Sequence, residues 1–139
     1  MRAWIATIAA VGVLAGLTAC GKDGPADQQD ACSIALNDAT RTGGRLDADI
    51  SKARMTGGTD HYQAMVDARS EASDWHASIV AQVNRDISPE LKQTLNDGAK
   101  MVGEVLATLD DATSTPPDAR SKIEYYQDKV RQACRGAFS

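Results

Sequence analysis

Apolar and small residues recur every three or four positions along four stretches of the chain, and in the first and third the steps of four and three alternate. The first stretch carries this pattern at Cys32, Leu36, Ala39, Gly43, Leu46, Ile50 and Ala53. The third carries it at Leu91, Leu95, Gly98, Val102, Val105, Leu109 and Ala112. Such a heptad repeat places its members on one face of an α-helix. No run alternates apolar and polar residues with the period of two that a half-buried strand needs, so the pattern predicts an all-α fold.

Glycine residues and small polar residues divide the first half of this pattern into two helices. The first helix is predicted over about residues 30–55, and Gly57-Gly58 ends it. Thr59 or Asp60 is the expected N-cap of the second helix, which ends near residues 85–86. The expected core face of this second helix comprises Tyr62 at its start, then Met65, Ala68, Ala72, Trp75, Ile79 and Val83.

Two proline-containing turns predict where the third and fourth helices begin. Ser88 is the expected N-cap of the third, with Pro89 at the first helical position and an acidic residue following it. Thr115 is the expected cap of the fourth, and Asp118 is expected to reach back to it as in a capping box. The expected core face of the fourth helix comprises Ala119, Ile123, Tyr126, Val130, Ala133 and Ala137.

Four helices with short connections predict an up-down-up-down four-helix bundle over residues 31–139. At about 1.5 Å per residue, Gly43, Trp75, Gly98 and Tyr126 fall at similar heights and form one core layer. We expect the two aromatic rings to fill the room beside the two glycines. Two alternatives remain: the glycines open a ligand cavity lined by Trp75, or Gly43-Gly44 kinks the first helix.

The N-terminus carries a different pattern from the four helices. Arg2 precedes an uncharged apolar run over residues 3–17, which has the length of a secretory leader; a membrane span needs roughly 20 apolar residues. The run ends in Leu17-Thr18-Ala19-Cys20, followed by glycine, and this resembles the lipobox of bacterial lipoproteins. The resemblance implies that residues 1–19 are a cleaved signal peptide. The alternative is an uncleaved anchor helix.

The same resemblance implies a membrane anchor and a location. Cys20 would carry a diacylglycerol and an acyl chain, and the protein would lie outside the cytoplasm, in the cell envelope. Residues 20–30 are rich in glycine and charge and predict a flexible tether. Because Arg2 is the only charged residue of the leader, cleavage changes the net charge from −4 to −5. This acidic balance gives no footprint for nucleic acid.

Two further cysteines remain after Cys20 is acylated. Cys32 begins the first helix and Cys134 ends the fourth, so an up-down-up-down topology brings them to the same end of the bundle. Exported proteins fold where disulfides persist, and two thiols allow one intramolecular pairing. We therefore expect a Cys32–Cys134 disulfide; the alternative is two free buried thiols.

Residues that could carry chemistry are sparse. His61 and His76 lie fifteen residues apart, and no histidine, cysteine or glutamate pair has metal-ligand spacing, so neither a metal nor a cofactor is expected. The carboxylates alternate with basic residues, as on solvated helix faces, and no nucleophile motif appears. The sequence therefore favours a non-enzymatic lipoprotein that binds an envelope protein, with Tyr125 as a candidate anchor. The alternatives are a carrier of haem or a small ligand in the bundle interior, and an enzyme.

Overall fold

The computed structural model describes residues 25–111 and 116–139 of the chain. Within them the protein consists of four α-helices and no strand: α1 (Pro25–Met55), α2 (Gly58–Val83), α3 (Pro89–Asp110) and α4 (Arg120–Ala133). Helices α1 and α3 each pack against both α2 and α4. The prediction of an all-α bundle of four helices is therefore confirmed for this part of the chain. The leader, Cys20 and the expected cap Thr115 lie outside the described residues.

Helix α1 begins earlier than the sequence predicted. It starts at Pro25, so residues 25–30, which were expected to belong to the flexible tether, are helical. The side chain of Gln28 holds this extension against the start of α3. Its Nε2 donates to Ser88 Oγ at 3.1 Å, and its Oε1 accepts from the Ser88 backbone N–H at 2.8 Å. The prediction was wrong here because the stabilising contact comes from a residue 60 positions away.

The glycine pair in α1 does not break the helix. Residues 43 and 44 are both helical, Gly43 buried and Gly44 exposed. Each glycine costs a helix roughly 1 kcal/mol relative to alanine. The close packing of Trp75 against Gly43 offsets this cost, and α1 is one uninterrupted helix through both glycines.

The starts of α2 and α4 also differ from the predictions, whereas that of α3 agrees. Helix α2 has Gly57 as its N-cap, and α4 has Ala119, neither with a side-chain capping bond. Two consecutive prolines precede α4, and the residue before a proline disfavours helical dihedrals, so the helix starts late. The Ser88 side chain accepts from the N–H of Leu91 at 3.2 Å, which confirms the predicted cap of α3.

The predicted heptad faces form most of the core. The exceptions are Tyr62, which is 69% exposed, and four partly buried residues, Leu36, Val83, Ala133 and Ala137. Ala112 lies outside the described residues. Alanine is common among the buried residues of α1 and α2: Ala31, Ala35, Ala39, Ala53, Ala64, Ala68 and Ala72. Ile87, in the turn before α3, is a core residue that the helical pattern could not identify.

Cys32 and Cys134 lie at a disulfide distance. Their sulfurs are 2.06 Å apart and their Cα atoms 5.7 Å apart, within the range that disulfides adopt. Both residues are buried, and the bond joins the beginning of α1 to the end of α4. Within residues 25–111 and 116–139, no helix combines the length and apolar character that crossing a bilayer requires.

Candidate functional site: a groove between α3 and α4

An open groove with a volume of about 390 Å³ runs between α3 and α4. Its floor is formed by Gly98 and the ring of Tyr126. Its walls carry residues that share one face of each helix: Asp97, Met101 and Glu104 on α3, and Lys122, Tyr125 and Lys129 on α4. The groove therefore combines an apolar floor with charged edges, and we call it the α3/α4 groove.

The floor of the groove is one end of a layer that crosses the core. A Cβ atom placed on Gly98 would lie 2.2 Å from Tyr126 Cε2, so the tyrosine ring rests directly on the α3 backbone. On its other side Tyr126 meets Trp75 edge to face, with ring centroids 5.7 Å apart and planes at 64°. Trp75 in turn packs on Gly43, whose Cβ would lie 3.0 Å from Trp75 Cη2.

The structure thus brings the four layer residues together as a continuous stack, in the order Gly43, Trp75, Tyr126 and Gly98. Trp75 is 1% exposed and Tyr126 is 4% exposed, and each ring occupies the room beside one glycine. A ligand cavity lined by Trp75 was the alternative to this packing. In the described core, that space is filled by Tyr126 and by Ile123, whose Cγ2 also lies 3.0 Å from the Gly43 Cβ position.

Two polar atoms of this stack are buried. Neither Trp75 Nε1 nor the Tyr126 hydroxyl has a hydrogen-bond partner among the described residues. Burial raises the pKa of the Tyr126 hydroxyl, and the negative charge of Asp38 raises it further. The phenol is therefore neutral at physiological pH, and the groove floor carries no charge of its own.

The two edges of the groove carry opposite charges. On the acidic α3 edge, Asp97 accepts a hydrogen bond from the side chain of Gln93 at 2.9 Å. On the basic α4 edge, Lys122 Nζ lies 3.7 Å from Glu104 Oε2, an exposed ion pair that contributes little stability. Lys129 Nζ lies 5.3 Å from the centre of the Tyr125 ring, within cation–π range.

Tyr125 is the exposed aromatic residue of the groove. Its side chain is 65% exposed, and it stands between the two lysines of the α4 edge. The sequence singled out Tyr125 as a candidate anchor for a partner, and the structure places it in the groove wall. Aromatic residues are enriched at protein interfaces, whose rims are polar.

Neither His61 nor His76 belongs to a candidate metal centre within the part of the chain that the structure describes. His61 Nδ1 lies 2.7 Å from the backbone oxygen of Ala53, so one ring nitrogen is already engaged. His76 lies beside Gly103, on the side of α3 that faces α2. Among residues 25–111 and 116–139, no group of three or more histidine, cysteine or acidic side chains could hold a metal ion.

Sequence reasoning did not identify the charged residues of the groove. The signal was present in their spacing. Asp97, Met101 and Glu104 are separated by four and three residues, and Lys122, Tyr125 and Lys129 by three and four. Each triplet therefore lies on one helix face. These faces border the predicted core faces, and only the packing of α3 against α4 shows that they meet. No protein-family model, no curated protein and no solved structure matches this chain.

Proposed function

We propose that this protein is an extracytoplasmic lipoprotein, anchored through Cys20, whose bundle binds an envelope protein through the α3/α4 groove. In this proposal it has neither a catalytic role nor a cofactor. The observation that carries the proposal is the groove itself. It exposes Tyr125 beside an apolar floor, with charged side chains at the rim, and this combination favours a protein partner.

The proposal includes an up-down-up-down arrangement of the helices, and the contacts between them support it. In each pair of neighbouring helices, the residue numbers of the contacts increase along one helix while those of their partners decrease along the other, as they do between antiparallel helices. The pairs between α1 and α2 are Asp38–Ser78, Arg45–Glu71 and Ala53–His61. Those between α1 and α4 are Cys32–Cys134, Ala39–Gln127 and Asp47–Arg120. Those between α2 and α3 are Arg69–Asp110 and His76–Gly103. Those between α3 and α4 are Gly98–Tyr126 and Glu104–Lys122.

This arrangement sets the groove relative to the anchor. Cys20 precedes Pro25 by five residues, and α1 begins beside Ser88 and the disulfide, so the anchor would lie at that end of the bundle. Asp97 follows Ser88 by nine residues, which is about 13 Å along a helix. The groove would therefore open on the side of the bundle, above the membrane surface, where a membrane-bound partner can reach it.

A small ligand is the second candidate occupant of the groove. Its volume of about 390 Å³ lies within the usual range for small-molecule sites, roughly 300–1,000 Å³. Such a ligand would bind at the surface between α3 and α4, since Trp75 and Tyr126 fill the described interior at this level. Native mass spectrometry of the protein purified from its own host would detect a small ligand that stays bound.

Two exposed tyrosines allow a matched test of protein binding. Tyr125 and Tyr62 are exposed to similar extents, 65% and 69%, but only Tyr125 lines the groove. We expect Tyr125→Ala to lose the partner that wild-type protein captures after crosslinking in native membranes, and Tyr62→Ala to retain it. Equal capture by both variants would contradict a binding role for the groove.

A further inference from the structure

The residues of the α3/α4 groove lie in three rows of matching height. Glu104 and Lys122 are in contact across the groove, which fixes the register of the two helices. Met101 precedes Glu104 by three residues on α3, and Tyr125 follows Lys122 by three residues on α4. Asp97 precedes Glu104 by seven residues, and Lys129 follows Lys122 by seven. Because both helices rise equally per residue, each row pairs one residue of α3 with one of α4. The outer rows each pair an acid with a base, and the middle row is apolar.

We propose that the partner in the groove is a second copy of this chain, docked face to face about a two-fold axis parallel to the helices. This inference rests on the proposed function, because it names the partner of the same groove. A rotation about such an axis places α3 of one copy opposite α4 of the other at the same height. Asp97 then faces Lys129 of the second copy, and Glu104 faces its Lys122.

In this orientation, the charged edges of the groove in one copy are complementary to those of the groove in the other copy. Each of the four acid–base contacts across the interface pairs opposite charges, and the middle rows bring Tyr125 and Met101 of both copies together at the centre. The result is an isologous interface with an apolar centre and a charged rim, which closes at two copies. Charge complementarity of this kind speeds association and excludes wrong orientations.

The other face-to-face two-fold orientation is disfavoured by the same charges. An axis perpendicular to the helices would set α3 against α3 and α4 against α4, with their directions reversed. Asp97 would then face Glu104 of the second copy, and Lys122 would face its Lys129. Like charges placed together across an interface repel each other and disfavour that orientation. The parallel axis also leaves both disulfide-linked ends on the same side, so that both lipid anchors reach one membrane.

Charge reversal on one edge at a time tests this dimer. The variant with Lys122→Glu and Lys129→Glu has two acidic edges, and the variant with Asp97→Lys and Glu104→Lys has two basic edges. Full-length copies carrying two different tags are co-expressed, extracted in mild detergent and captured through one tag. We expect each variant to capture its own kind about tenfold less than wild type, or weaker still. A mixture of the two variants should recover capture to near the wild-type level.

Controls separate the groove from a general effect of charge. The double substitution Lys52→Glu and Lys92→Glu changes the net charge by the same amount as Lys122→Glu with Lys129→Glu, but at exposed lysines outside the groove, and it should leave self-capture unchanged. Circular dichroism verifies that each variant is folded. Sedimentation of the wild-type protein in the same detergent gives its oligomeric state without any substitution, and we expect a dimer.

Three results would overturn the second copy as the partner. They are a wild-type protein that sediments as a monomer, charge-reversed variants that capture themselves as well as wild type, and a mixture of folded variants that does not recover capture. If wild-type copies fail to capture each other while Tyr125→Ala still loses a crosslinked protein of different mass, the groove binds another protein. In that case the proposed function stands and the dimer does not.

Discussion

Two glycine residues decide how the aromatic rings of the core are placed. Tyr126 lies so close to α3 that a Cβ on Gly98 would be 2.2 Å from its ring, and Trp75 approaches the Gly43 position to 3.0 Å. Two carbon atoms that are not bonded to each other cannot lie 2.2 Å apart, so a side chain at Gly98 forces the tyrosine or the helix to move. Since Tyr126 also forms the groove floor, this one position connects the packing of the core with the shape of the groove.

A pair of glycine-to-alanine substitutions tests this packing. We expect Gly98→Ala to lower the free energy of unfolding by about 1–3 kcal/mol, because overpacking outweighs the gain in helix propensity. Gly44→Ala should raise it by roughly 1 kcal/mol, because a Cβ at Gly44 meets no atom within 4 Å and the residue is helical. Chemical denaturation followed by tryptophan fluorescence measures both values. A Gly98→Ala protein as stable as wild type would contradict the close contact.

The layer was predictable from the sequence, but its internal pairing was not. Counting residues from the helix ends places two glycines and two aromatic residues at one height. Which glycine faces which ring depends on how each helix is rotated about its axis, and heptad spacing does not specify this to within one side chain. The exposed start of α2, where Tyr62 was expected in the core, shows the same limitation: a periodic face continues in sequence beyond the point where its neighbour ends.

At the level of the helices, the contact between α1 and α3 through Gln28 determines where the bundle begins. The Gln28 side chain bonds to both the hydroxyl and the backbone N–H of Ser88, while that hydroxyl caps α3 through Leu91. One side chain therefore fixes the first turn of α1 and supports the cap of another helix.

Replacing Gln28 tests this link. We expect Gln28→Ala to lower the free energy of unfolding by about 1–2 kcal/mol and to increase amide hydrogen exchange over residues 26–31. Gln29→Ala is the matched control, since Gln29 is exposed, and it should change neither quantity. Exchange in the first turn of α1 that is equally fast in wild type and in Gln28→Ala would show that the contact does not hold the helix end.

The helical pattern predicted which helices exist but not where each of them begins. Periodicity is a local property, and it identified the core faces of all four helices. The start of α1 depends on a bond across 60 residues, and the late start of α4 depends on two prolines whose restriction outweighs the capping signal before them. The edges of the groove were missed because they belong to neither core face and become visible only when two helices are adjacent.

At the scale of the whole molecule, the disulfide is the strongest single constraint on the bundle. It links residues 102 positions apart, for which the chain-entropy model gives about 4–5 kcal/mol, and measured values are commonly about 2–5 kcal/mol. We expect the double variant Cys32→Ala and Cys134→Ala to lose stability in that range on denaturation. Reducing agent should lower the melting temperature of the wild-type protein and leave that of the double variant unchanged. An equal response of both proteins would mean that the bond does not stabilise the fold.

The proposed anchor predicts how the whole chain partitions in the cell. We expect Cys20→Ala to move the protein from the membrane fraction to the soluble fraction, because the acylated thiol is lost. Lys22→Ala, two positions away, keeps the thiol and should stay with the membrane. Full membrane association of Cys20→Ala would indicate that residues 1–19 remain attached as an anchor helix.

The bond between Cys32 and Cys134 also makes the polypeptide between them a covalent ring. A protease that cuts one peptide bond anywhere in that ring opens it but separates nothing, since both pieces remain joined through the sulfurs. Release of the whole bundle from its N-terminal segment therefore requires a cut before Cys32. Two cuts within the ring free only the stretch between them, and one cut followed by reduction frees only the part after the cut. A nicked molecule should migrate as one band on a non-reducing gel and as two bands after reduction.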